Sequence, residues 1–231
     1  MRPMSADRPD ITESPGSVDA GHFQLEMDLL VVEHDRGETS CSFAVANLKL
    51  GLLDFVDLQV VLRPLVSPPT TGAAQTLGYG DVTLRLKINL FGNGGGAALG
   101  VLGWVNVPAP GSLGGGWAGG LALPFGVELP WELELGAMVE VDVFPNERAP
   151  GVHPELLGTL ALSRSILGPL SMFIEGAVRV SFDLQGAVLA TLDGGLLFQV
   201  DDDLVFDAGA YVGLTDAAPD AVLFVGVTTR I

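Results

Sequence analysis

Residues 81–90 read Asp-Val-Thr-Leu-Arg-Leu-Lys-Ile-Asn-Leu, with every second residue aliphatic and every intervening one polar. That two-residue period is a β-strand with one wet and one dry face, since successive side chains point to opposite sides of a sheet. The window from Trp131 to Val143 repeats it. Trp131, Leu133, Leu135, Ala137, Val139, Val141 and Val143 oppose Glu132, Glu134, Glu140 and Asp142. From Leu170 to Phe182, Leu170, Met172, Ile174, Val178, Val180 and Phe182 oppose Ser171, Glu175, Arg179 and Ser181. Near the start Phe23, Leu25, Met27, Leu29 and Val31 alternate with Gln24, Glu26 and Asp28. Near the end Leu204, Phe206, Ala208, Ala210, Val212 and Leu214 alternate with Asp203, Asp207 and Tyr211.

About twelve such segments follow one another, each reaching the ~9 to 11 residues with which a tilted strand crosses a bilayer. The predicted spans are 22–34, 40–51, 56–66, 79–91, 97–107, 117–129, 131–144, 155–164, 169–182, 185–199, 203–215 and 221–231. Connection lengths largely alternate. The second, fourth, sixth, eighth and tenth are brief, whereas the third, fifth and seventh (Ser67 to Gly78, Pro108 to Gly116, Pro145 to Pro154) are longer and rich in turn formers. A bacterial barrel alternates in this way, with short turns on the periplasmic side, where both chain ends then fall. Its last strand carries the signal for the barrel-assembly machinery. The outward set Leu223, Val225, Val227, Thr229 and Ile231 runs to the last residue, although such signals usually close on an aromatic residue.

Composition agrees. The chain has 231 residues, is 48% hydrophobic and contains 31 glycines, yet no stretch approaches the ~20 apolar residues of a membrane-spanning helix. A soluble sandwich or lipocalin-like barrel also alternates, so the polar face decides. Lysine is almost absent from it, and Asp, Glu, Arg, Thr, Ser, Gly and Asn suit a lumen. The expected fold is an all-β, antiparallel up-and-down transmembrane barrel in contact with outer-membrane lipid, with Tyr79, Phe91, Trp117 and Trp131 near strand ends. Residues 21–231 form its single domain. A formal charge of −17 without a basic patch argues against nucleic acid. One cysteine, Cys41, allows no internal disulfide. The first residues carry no apolar stretch of secretory-signal length, which an exported protein needs, so a removed signal or a start further upstream is expected.

Three sets of blocks resemble one family. They are Asp7-Arg8-Pro9-Asp10-Ile11-Thr12-Glu13-Ser14-Pro15, the pair Gly80 to Lys87 and Trp131 to Met138, and the closing stretches Asp202 to Ala210 and Gly213 to Asp220. In order and spacing they are similar to the outer-membrane proteins grouped as the MetA-pathway of phenol degradation family. That resemblance implies an outer-membrane transporter barrel associated with uptake of aromatic or other poorly soluble compounds, and no enzymatic residues.

Local motifs add little chemistry. Gly92-Asn93-Gly94-Gly95-Gly96 lacks the Lys-Ser/Thr of a phosphate-binding loop and reads as a hairpin turn. Asp201-Asp202-Asp203 lacks the glycine and distal glutamate of a calcium loop. His22, His34 and His153 show no metal-ligand spacing, and no serine and histidine are paired as in a nucleophilic triad. No metal, cofactor or enzymatic activity is expected.

Residues 1–20, with Pro3, Pro9, Pro15, Asp7, Asp10 and Glu13, cannot be a lipid-facing strand. A mobile periplasmic terminus is the expected reading, with a plug inside the lumen as the alternative. The wet-face charges are the candidate lumen groups for transport. Lys49, Arg63, Arg85 and Lys87 form a basic set, Glu128, Glu132, Glu134, Glu140 and Asp142 an acidic one, and Glu175 and Arg179 lie further along. If the two sets face each other they either neutralise one another in a narrow barrel or polarise a pore. Two functions stay open: a channel or transporter for small molecules, or a closed barrel with a structural or interaction role.

Overall fold

The computed structural model describes residues 1–70, 77–146, 150–183 and 186–231. Its strands are β1 (Phe23–Asp35), β2 (Glu38–Leu53), β3 (Val56–Leu62), β4 (Leu65–Val66), β5 (Val82–Phe91), β6 (Ala97–Val107), β7 (Ala118–Leu129), β8 (Leu133–Pro145), β9 (Val152–Leu167), β10 (Leu170–Ser181), β11 (Val188–Asp201), β12 (Leu204–Gly213) and β13 (Ala221–Arg230). Apart from β4, each pairs antiparallel with the next strand in sequence, β3 with β5, and β1 pairs with both β2 and β13, which closes the sheet. β3 and β4 both pair with β2 and are two parts of one stave, so the barrel has twelve. The span 56–66 is thus interrupted rather than continuous. Pro64 sits in the break, where it can offer no N–H to a ladder.

The segment 131–144 also needs correction at its start. Trp131 and Glu132 have φ of 67° and 58° and form the turn between Leu129 and Leu133. Strand β9 is longer than the expected 155–164, and Asn146 and Gly151 close the loop before it with an N–H to carbonyl bond of 3.0 Å. Parts of the expected spans 67–78, 145–154 and 185–199 lie outside the described residues.

Side chains are distributed as a bilayer requires. On β5 Leu84 and Leu86 are exposed while Thr83 and Lys87 are buried. Among the most deeply buried side chains are Lys87, Gln59, Glu175, Asp57 and Asp142, while Leu121, Val139, Leu160, Ile174 and Leu223 lie on the outer surface. A soluble protein buries the second set and solvates the first. Here lipid takes the outer face and the polar groups satisfy one another inside. Tyr79, Phe91, Trp117 and Trp131 are all exposed, near strand ends or in connections.

Both chain ends lie at the end that carries the short turns, and β1 and β13 are sealed there by Phe23 and Ile231. Each of the two donates its backbone N–H to the other's carbonyl, at 3.0 and 2.8 Å. At the opposite end the β1–β2 connection is the exception to long loops. Arg36 and Gly37 both have positive φ, the geometry of a two-residue hairpin turn whose twist matches its strands.

Candidate functional site

The lumen is where chain chemistry converges, and residues 7–13 of the N-terminal segment meet its wall. Asp7 is buried, and its carboxylate accepts from the ammoniums of Lys49 (β2, 2.5 Å) and Lys87 (β5). Lys49 also donates to Glu26 on β1. Burial alone would raise the Asp7 carboxyl, but Lys49 and Lys87 outweigh it and hold the group well below the usual carboxylate range. Glu13 accepts from the Arg85 guanidinium. Arg8 reaches the far wall, donating to Asp207 on β12 at 2.6 and 3.1 Å and to Asp28 on β1.

Backbone groups are engaged as well. The Glu175 carboxylate on β10 accepts the N–H groups of Ile11 (2.7 Å) and Thr12 (2.8 Å), and the Thr12 hydroxyl also meets Thr159 on β9 at 2.6 Å. Ile11 packs on a small apolar patch inside the barrel made by Leu102, Ala122, Met138, Leu157 and Ala177. Asp10 is half-buried, and burial together with the neighbouring Glu175 charge pushes its carboxyl well up. Wall glycines make room: a Cβ at Gly51 would overlap the Asp19 carbonyl, and one at Gly226 would overlap the Arg8 guanidinium.

These positions correct the expectation of two facing charged walls. Strands β5 and β8 stand only three staves apart, and among the described residues no ion pair joins the basic set to the acidic one. The basic groups Lys49, Arg85 and Lys87 meet the N-terminal segment instead. Asp142, fully buried, pairs with Arg179 at 2.6 Å, and Arg179 also meets Glu155 at 3.1 Å. Glu140 accepts the Trp104 indole N–H at 2.5 Å. Glu132 lies in the β7–β8 turn and Glu134 is exposed close to it, while Glu128 accepts the Gly96 N–H at 3.1 Å. Arg63 faces a cavity of about 650 Å³ lined by part of the segment and by residues toward the long-loop end.

Among the described residues His22, His34 and His153 bond to nearby groups, Ala20, Thr39, Asn146 and Glu155. Sequence reasoning missed Asp7, Arg8 and Glu13 as wall partners because an aperiodic segment carries no signal of what it will touch. Their partners Glu26, Asp28 and Asp207 did show, as wet-face residues.

The fold has solved relatives. The COG4313 outer membrane channel from Pseudomonas putida F1 superposes with a TM-score of 0.67 at 13% identity, covering 98% of this chain and 100% of that one. The NanC porin follows at 0.63 and 7% identity, covering 90% and 100%. The translocator domain of the autotransporter NalP from Neisseria meningitidis reaches 0.53 at 12%, covering 93% and 90%. None of the curated proteins compared matches the sequence. With this barrel and its inward charges in view, the match of residues 6–231 to the family described as "Putative MetA-pathway of phenol degradation" is decisive, and the protein belongs to that family.

Proposed function

We propose that this outer-membrane barrel is a channel for small molecules, with aromatic and other poorly soluble compounds as passengers, and that residues 1–20 are its plug. The observation that carries the reading is the pairing of Asp7, Arg8, Glu13 and Glu175 between the segment and five strands of the wall. Such pairing places binding energy on the closed form. Release of the segment would leave several lumen charges to water rather than to carboxylates, which a wet lumen tolerates. The family description, which names phenol degradation, supports the passenger class, and the solved relative described as an outer membrane channel supports the channel.

An apolar passenger is poorly served by a straight route. It would displace water from a lumen of charged groups without replacing the hydrogen bonds, which is unfavourable. A lateral route through the wall would serve it better, at the seam between β6 and β7. Between β6 and β7 the ladder runs from Ala97 to Leu99 and resumes at Leu102, skipping the positions opposite Leu123 and Pro124, because proline brings no N–H.

Planar-bilayer recording with liposome uptake of phenol and of a charged solute tests the reading. The full chain should conduct weakly and admit phenol, and a chain starting at Val18 should conduct several-fold more. A closed barrel with a structural role is the second reading, favoured by how completely Asp7 is satisfied. It wins if neither solute enters and trimming changes nothing.

A further inference from the structure

Matching charges inside the barrel leaves one cation over. Among the described residues the other inward-facing arginines and lysines each have a carboxylate within ion-pair distance, on the segment or on the wall. Arg63 has none, and donates from Nη1 to the Thr83 hydroxyl at 3.1 Å. The acids near it are engaged elsewhere. Asp81 accepts from Asn106 (2.8 Å), from Ser112 and from the N–H groups of Ala109 (3.1 Å) and Gly116 (3.2 Å), which ties down the β6–β7 connection. Asp28 is held by Arg8. Burial alone would raise Asp81, but these four donors outweigh it and hold the carboxyl below its usual value, so it stays charged in that role. Asp10, whose carboxyl is pushed well up, and Glu140, bonded to Trp104, also line the cavity, as do Asp7, Glu13 and Glu26, which Lys49, Lys87 and Arg85 engage. A guanidinium taken partly out of water without a counter-ion is unfavourable, and an anion from solution would relieve it.

The surroundings say which anion. Arg63 stands two residues after Val61, whose register partner is Thr83, and Thr83 and Arg85 pair in turn with Asn106 and Trp104. Arg63, just past the end of β3, Thr83 on β5 and the Trp104 indole on β6 thus project from three adjacent staves into one cavity of about 650 Å³, within the ~300 to 1,000 Å³ of small-molecule sites. Phe144 continues the aromatic wall, its ring centroid 6.0 Å from that of Trp104 and tilted by 49°. The indole is fixed from two sides. Glu140 takes its N–H, and a Cβ at Gly120 would stand 2.5 Å from that nitrogen, so only glycine leaves it room.

A guanidinium fork matches a planar carboxylate, and ring faces take an arene at an offset. We infer that this cavity binds an aromatic carboxylate of the benzoate type, its carboxylate on Arg63 and Thr83 and its ring against Trp104 and Phe144. A neutral hydrocarbon would leave Arg63 unpaired, and a small inorganic anion would leave the aromatic wall empty. The inference rests on the channel reading and names a passenger class for it.

Calorimetric titration and tryptophan fluorescence of the full chain folded in detergent test it, with benzoate, benzyl alcohol and acetate as probes. Benzoate should bind saturably, and benzyl alcohol and acetate at least about tenfold more weakly, the scale of one charge-assisted hydrogen-bond pair. Arg63→Gln should lose about tenfold for benzoate and leave benzyl alcohol unchanged, while Arg63→Lys should recover part of the loss. Equal affinity for benzoate and benzyl alcohol in the unaltered protein overturns the site, without any variant having to fold. Arg63-dependent benzoate binding by a barrel that admits no solute into liposomes keeps the site and removes the channel. Phenol uptake without benzoate binding does the reverse.

Discussion

The carboxylate of Glu175, in the middle of β10, accepts both the backbone N–H of Thr12 at 2.8 Å and the Thr12 hydroxyl at 2.5 Å, joining residues 163 apart in the chain. A backbone N–H can be recognised whatever side chain it carries, so this contact positions the segment rather than merely neutralising it. The carboxylate is itself 1% exposed and needs these donors.

Glu175→Gln exchanges an oxygen that accepts for a nitrogen that donates, facing N–H groups that also donate. The segment should loosen, and single-channel conductance should rise several-fold toward that of a chain starting at Val18. Unchanged conductance, with the barrel still folded by circular dichroism, would mean that Glu175 does not hold the segment.

The same release can be tested from the wall. Gly51→Ala places a methyl group on the Asp19 carbonyl, which is backbone and cannot step aside as a side chain end does. Limited proteolysis should then cut within residues 1–20 at least several times faster than in the unaltered protein, with the strands still protected.

Asp7 is the charge centre of the contacts between the N-terminal segment and the wall. Asp7→Asn leaves Lys87 without its closest carboxylate and Lys49 with Glu26 alone, in a site where all three side chains are at most 5% exposed. Removing one partner of a buried pair costs ~3 to 5 kcal/mol, read by urea titration in lipid. The pH dependence follows from the sign of the shift. Because the folded carboxyl lies below its unfolded value of roughly 3.9, its contribution is complete above that value and declines as pH falls toward the folded one. The gap between Asp7→Asn and the unaltered protein should therefore be constant from pH 7 to about 5 and shrink below about 4.

Asp10 works in the opposite sense. Its folded carboxyl lies above the unfolded value, so the folded form takes up a proton as pH falls and gains stability, and loses that gain as pH rises through the folded value. Asp10→Asn should flatten this component, and the difference in unfolding midpoint between variant and unaltered protein should grow from pH 5 to pH 8. A difference that is the same at every pH would contradict the assignment.

Neighbouring positions on β5 separate lipid from lumen. Leu86→Arg puts a charge on the outer face and should cost ~2 to 4 kcal/mol near the bilayer midplane. Arg85→Gln, one residue away, meets no lipid. It releases Glu13, and should raise conductance more than it lowers the unfolding midpoint.

Much of this molecule was decided locally. A period of two is a property of single strands, so residues 81–90 and 170–182 declared their wet and dry faces without reference to any partner, and the alternation of turns and loops implied closure. Where local chemistry was special the boundaries slipped: Pro64 split a stave, and the positive φ of Trp131 and Glu132 moved them from strand to turn. What Lys49, Arg63, Arg85 and Lys87 face was not legible, because a lumen contact depends on barrel closure and on where an aperiodic segment comes to rest. Tertiary structure alone brought Asp7 between two lysines from β2 and β5 and left Arg63 without a carboxylate. Periodicity is written along the chain, whereas charge pairing across a lumen is settled only when segments 40 to 200 residues apart share the same few ångströms.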